Sequence, residues 1–152
     1  MSALSQSQIR TWLEELQVEY TLCDQCDGLH IKLLTEQAGV YDCKVELMDG
    51  DLYWVAAFEV APVDLFQLQA SLASMSMNYP ELKFFIEMDN SELPRLLAMH
   101  TLFTQTGISQ EQFEHWLNRL TRQTSLLSQE LSGEEQSAEE QEMLSVSVTM
   151  LH

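Results

Sequence analysis

Residues 40–60 read VYDCKVELMDGDLYWVAAFEV, and this stretch decides the fold. Asp49-Gly50 between two alternating runs is the strongest short signal for a β-hairpin. A two-residue loop there sets Leu47 against Leu52, Val45 against Trp54, Cys43 against Ala56 and Tyr41 against Phe58, all on one apolar face. The other face pairs Glu46 with Tyr53, Lys44 with Val55, Asp42 with Ala57 and Val40 with Glu59. A one-residue slip would set apolar residues of one strand against polar residues of the other, so turn chemistry and alternation support the same register. Such a hairpin needs a cover for its apolar face.

The flanking sequence supplies covers and further strands. Upstream, Ser5 and Gln8 make a capping-box pair, with Leu4 and Ile9 as the hydrophobic staple. Ile9, Trp12, Leu13 and Leu16 then form one helical stripe. Residues 18–23 alternate weakly, as a short strand does. Asp24, Gln25, Asp27 and Gly28 mark a turn, and residues 29–34 read as a second strand with Leu29, Ile31 and Leu33 on one face. Downstream, Pro62 suits the first turn of a helix. Leu65, Leu68, Leu72 and Met75 are its docking stripe. Phe66, Ala73 and Met77 lie off that stripe and widen the apolar arc beyond what one docking face needs, which marks them as interface candidates. Asn78-Tyr79-Pro80 ends the helix. Residues 82–88 alternate as a strand, 89–92 are a polar loop, and 94–104 fit either helix or strand. Ser109 and Gln112 repeat the capping box ahead of a second Trp-Leu stripe, Phe113, Trp116, Leu117 and Leu120. The order implies an α+β fold.

A chain of 152 residues with 45% apolar content suits one domain with one core. We place that domain at residues 1–131. From Ser132 the composition turns to Glu, Gln and Ser, and residues 132–152 read as an acidic, mobile tail in which residues 144–150 alternate like a strand without a local partner. Seven basic residues against 24 acidic ones give a net charge of −17. That surface repels phosphate backbones and anionic lipid, so neither nucleic acid nor membrane is an expected partner. It suits a basic protein segment. The N-terminus lacks the pattern of a signal peptide, no apolar run is long enough to span a bilayer, and three cysteines do not make a disulfide framework. The expectation is a cytoplasmic protein.

Residues that could carry chemistry are few. Cys23, Cys26 and His30, with Cys43 further on, offer zinc ligands, since a C-x-x-C turn supplies two thiolates to a tetrahedral ion. A second C-x-x-C is missing, and alternation puts Cys43 on the apolar hairpin face beside Val45. A thioredoxin-like role would put the motif at a helix N-terminus, whereas here it falls in a turn between strands. Calcium at Asp49 would need a glutamate where Val60 stands. G-x-S-x-G and phosphate-cradling glycine loops are absent, and His30, His100 and His115 are scattered. Met75, Met77, Met88 and Met99 suit either a core or an adaptable binding surface. No cofactor and no catalytic residue is assigned.

Several segments resemble the YbjN family of bacterial proteins: residues 10–16 (RTWLEEL), 23–30 (CDQCDGLH), 39–47 (GVYDCKVEL), 90–96 (NSELPRL) and 107–117 (GISQEQFEHWL). The resemblance covers roughly residues 9–123 and carries no catalytic signature. It implies a sensory-transduction regulator with a fold similar to type III secretion chaperones: a twisted antiparallel sheet with helices packed on it, in the order α-β-β-β-α-β-β-α. It also implies a strand at 94–104, a homodimer, and a non-enzymatic role in binding a protein partner that the sequence does not identify. The alternative is a small metal- or thiol-responsive sensor using Cys23, Cys26, His30 and Cys43.

Overall fold

The computed structural model describes residues 2–88 and 93–133. The polar loop at 89–92 and the tail from residue 134, including the alternation at 144–150, lie outside the described residues. The hairpin consists of β3 (Val40–Met48) and β4 (Asp51–Glu59). Asp49 and Gly50 both take left-handed φ, 51° and 84°, as a type I′ turn requires. The register agrees with the turn-based expectation from Asp42/Ala57 through Leu47/Leu52. The two outermost expected pairs, Tyr41 with Phe58 and Val40 with Glu59, do not form. Val40 faces Phe58 instead, and Tyr41 is the extra residue of a β-bulge. The bulge turns Val40 into the core and Tyr41 out, where the Arg95 guanidinium sits 3.6 Å from the centre of its ring.

The other elements are α1 (Gln6–Glu15), β1 (Tyr20–Leu22), β2 (Leu29–Ile31), α2 (Lys32–Thr35), α3 (Leu65–Asn78, entered through a 3-10 turn at Pro62–Asp64), β5 (Lys83–Glu87), β6 (Arg95–Leu102) and α4 (Gln110–Leu131). The fold is α+β, built on an open six-stranded sheet in the order β1-β2-β3-β4-β6-β5. Every neighbouring pair is antiparallel. Residues 94–104 thus resolve as strand. The expected order gains one strand and one short helix ahead of β3. The strand expected over 29–34 stops at Ile31, because the chain must turn back over the sheet to reach β3. One helical turn, α2, does this. It buries Leu34 and leaves Leu33 63% exposed, opposite to what strand alternation assigns.

Among the described residues, all four helices pack into one core on one face of the sheet. That face presents Leu29 and Ile31 from β2, Cys43 and Val45 from β3, Leu52, Trp54, Ala56 and Phe58 from β4, and Leu96 and Ala98 from β6, all buried. The two Trp-Leu stripes meet over it: Trp12 of α1 stacks obliquely on Phe113 of α4, centres 5.3 Å apart. Ser5 caps α1 by accepting from the Gln8 backbone, and Ser109 with Gln112 completes a reciprocal capping box on α4. Trp54, at the centre, donates its indole N–H to the Thr124 hydroxyl of α4 at 3.1 Å and meets Trp116 edge to face. Trp116 in turn donates to Nδ1 of His100 at 2.9 Å. Burial depresses the His100 pKa, against a weaker opposing pull from Glu81, which fits a neutral imidazole that accepts this bond. The opposite face of the sheet carries His30, Asp42, Lys44 and Glu46 towards one end and Val55, Leu97, Met99 and Phe85 towards the other, and no described helix covers it.

Candidate functional site

Two features stand out from this scaffold. The first is α3. Leu68 and Leu72 pack partly against the core and Met75 is buried, as the docking stripe predicts. The three interface candidates of the sequence analysis lie open on the helix. Phe66 is 84% exposed and Met77 82%, with Ala73 exposed between them. Together with the exposed Ala70 they follow one line along the helix at spacings of four, three and four. Val63, in the turn that leads in, is equally open. No residue of α3 carries a charge, in a chain whose net charge is −17.

The second feature is on the uncovered face of the sheet. Cys23 follows β1, Cys26 lies in the β1–β2 turn, and His30 projects from the middle of β2. Their sulfur and nitrogen atoms all lie within 4.8 Å of one another. Cys26 Sγ is 3.8 Å from Nε2 of His30. Nδ1 of the same ring is 2.6 Å from Oδ1 of Asp42, its diagonal neighbour on β3. The turn is tight because residue 28 is glycine: a Cβ there would stand 2.8 Å from the Lys44 side chain and 3.2 Å from Cys26 Sγ. Hydrogen bonds from Cys26, the Gln25 backbone and His30 lower the Cys23 thiol to about 7, while bonding to Cys23 raises that of Cys26. Desolvation disfavours a charged His30, but Asp42 and Cys23 outweigh it and raise its pKa. Lys44 donates to Cys26 Sγ at 3.8 Å and pairs with Glu46 at 3.3 Å.

The four-residue set of the sequence reading therefore divides. Cys23, Cys26 and His30 come together; Cys43 does not. It points through the sheet into the core, fully buried, and desolvation pushes its thiol well above the usual range. Asp42 belongs to the cluster and sequence spacing missed it, although its place two residues from the partner of His30 follows from strand register. Cys26, His30 and Asp42 stand in the order nucleophile, base and acid, but the thiol at that position is the one whose ionisation is suppressed. The motif sits in a strand-to-strand turn and not at a helix N-terminus, as the sequence indicates. His115 is exposed, and His100 is engaged by Trp116. A groove of about 540 Å³ between the end of α3 and α4 is lined by Tyr79, His115, Arg119 and Arg122, but Arg119 is already held by Glu81.

Residues 5–131 match the model of the YbjN family, described as "Putative bacterial sensory transduction regulator". The chain is 29% identical over 119 residues to the "Uncharacterized protein YbjN" of Escherichia coli K12, covering 78% of this chain and 75% of that protein, and to its Shigella flexneri counterpart to the same extent. It superposes with a TM-score of 0.81, at 28% identity, on the "Crystal structure of YbjN, a putative transcription regulator from E. coli", covering 86% of this chain and 92% of that one. An uncharacterized protein from Methanothermobacter thermautotrophicus shares the fold, with a TM-score of 0.51 and 17% identity over 86% of this chain and all of the other. Family match, sequence identity and superposition agree: this chain belongs to the YbjN family.

Proposed function

We propose that this protein is a non-enzymatic regulator that works by binding other proteins, and that it does so as a homodimer paired through α3. The observation that carries this reading is the fourteen-residue α3 without a charge, in a chain of net charge −17. Two copies of so acidic a chain repel each other wherever their charges meet. An uncharged face is where they can approach, and Phe66 and Met77 supply the apolar anchors, each worth about 1.5–3 kcal/mol when buried. Ala70 and Ala73 between them allow two helices to pack closely. A two-fold contact uses the same patch twice, so one stripe suffices. Regulation through a protein partner suits the charge better than contact with nucleic acid, since seven basic residues in the whole chain leave little to bind phosphates. The acidic surface that remains open in a dimer suits a basic segment of the regulated protein.

The test is Phe66→Glu combined with Met77→Glu, followed by light scattering over a range of concentrations and by circular dichroism. Wild type should have the mass of two chains and the double variant that of one, with the fold unchanged. Burying unpaired carboxylates costs several kcal/mol, enough to split a dimer held there. A wild-type monomer at high concentration would end the reading, and a dimeric double variant would remove α3 as its interface.

A further inference from the structure

We propose that Cys23, Cys26 and His30 form a binding site for a zinc-class divalent cation on the uncovered face of the sheet, with Asp42 holding the histidine in place. The donor set is two sulfurs and one imidazole nitrogen, the chemistry that selects zinc over hard cations. The spacing fits. Ligands about 2.0–2.3 Å from a tetrahedral zinc stand roughly 3.5–3.8 Å from one another, and Cys26 Sγ is 3.8 Å from Nε2 of His30. All three donor atoms fall within 4.8 Å, so small side-chain rotations close the set.

The second observation is the orientation of His30. Its Nδ1 lies 2.6 Å from the Asp42 carboxylate, so Nδ1 carries the proton and donates it. In the neutral ring, the form that binds a metal, that leaves the Nε2 lone pair facing the sulfurs. Zinc-bound histidines commonly donate their other ring N–H to a carboxylate in this way. The sulfurs are prepared in the same way. The Gln25 backbone N–H lies 3.4 Å from Cys23 Sγ, and Lys44 Nζ lies 3.8 Å from Cys26 Sγ. These donors favour a thiolate at each sulfur, at Cys26 against the stronger opposing bond to Cys23, and the Lys44 charge is shared with Glu46, which limits its repulsion of a cation. Gly28 lets the turn lie close enough to Lys44 for these contacts. Cys43 is in the core and takes no part, so three protein ligands leave one position open. Water or a donor from a bound protein fills it, which separates this site from a closed structural zinc knuckle.

The experiment uses the full chain, reduced and stripped of metal, titrated with cobalt(II) and then with zinc(II). One cobalt per chain should bind, with sulfur-to-cobalt charge-transfer bands and the strong visible bands of a tetrahedral site, and zinc should bleach both. Cys23→Ser, Cys26→Ser and His30→Ala should each abolish the spectrum, Cys43→Ala should leave it intact, and Asp42→Asn should weaken affinity roughly 10–100-fold. Circular dichroism of each variant separates loss of the site from loss of the fold. Folded wild type that takes up no cobalt would overturn the proposal, as would a thiolate spectrum that survives Cys26→Ser or disappears in a folded Cys43→Ala.

Discussion

Gly50→Val should destabilise the domain by about 2–3 kcal/mol, and the figure follows from the β3–β4 turn. Gly50 sits at φ 84°. A β-branched residue in that region costs about 2 kcal/mol in backbone strain. The new side chain also meets the segment that braces the turn. A Cβ at position 50 would lie 3.2 Å from Cγ of Gln105, whose amide donates to the Asp49 carbonyl at 3.2 Å and to Oδ2 of Asp51 at 3.3 Å. Displacing two such partly exposed bonds adds about 0.5–1 kcal/mol. For a domain of this size about 3–5 °C of melting temperature corresponds to each kcal/mol, so the midpoint should fall by about 6–15 °C. Thermal and urea unfolding, each followed by circular dichroism, measure it. Gly50→Asn is the control: asparagine tolerates left-handed φ, and this variant should lose less than about 1 kcal/mol. Equal losses in the two variants would refute the argument from φ, and a valine variant as stable as wild type would refute the turn itself.

Two further outcomes test the core. Thr124→Val preserves shape but leaves the buried Trp54 indole N–H without its acceptor, so urea unfolding should show a loss of about 1–3 kcal/mol, whereas Thr124→Ser should keep most of the stability; a valine variant equal to wild type would contradict the bond. Burial holds the His100 pKa below its ordinary 6.5, so protons bind the unfolded chain more readily: the contribution of His100 is complete above pH about 6.5 and is lost as pH falls through the folded value. A proton NMR titration that finds His100 at or above 6.5 would contradict this, as would a wild type no more acid-sensitive than His100→Gln.

What the sequence made legible was what local chemistry controls. Asp49-Gly50 can adopt the primed turn without help from the rest of the chain, so the central register followed from it. The two capped helices likewise carry their own start signals at Ser5 and Ser109. Where distant residues decide, local reading failed. The bulged Tyr41 meets Arg95, delivered by a strand more than fifty positions away, and nothing near Tyr41 announces it. Strand alternation from Leu29 and Ile31 assigns Leu33 to the core face, yet Leu34 is the residue buried. α2 and the loop after it are tied to α4, through Gln37 to Ser125 and Ser128 to the Ala38 carbonyl, partners that lie about ninety positions away. At the cysteine cluster the spacing of Cys23, Cys26 and His30 was visible. Asp42 was not, because a cross-strand diagonal is a property of the sheet. The exposed stripe Phe66, Ala73 and Met77 was readable as a surplus of apolar arc, since helical periodicity is local.

The place of β6 has a consequence for how the chain reaches this structure. β6 lies between β4 and β5, although β5 precedes it and α3 intervenes. Four of its six strands therefore form two locally connected pairs, β3 with β4 through a two-residue turn and β5 with β6, joined along one seam that pairs Leu52 with Leu102 and Phe58 with Leu96. Hairpins of this kind form in microseconds, whereas the seam must first meet the loop-closure entropy of everything between its strands. We expect the β4–β6 seam to close late in folding. Until it zips, the inner edges of both units remain unpaired strands, open to another chain during synthesis. Substitutions at the Asp49-Gly50 turn, formed early, should therefore slow folding by most of their cost in stability, whereas those at Ala56 or Ala98, which face each other across the seam, should act mainly by speeding unfolding.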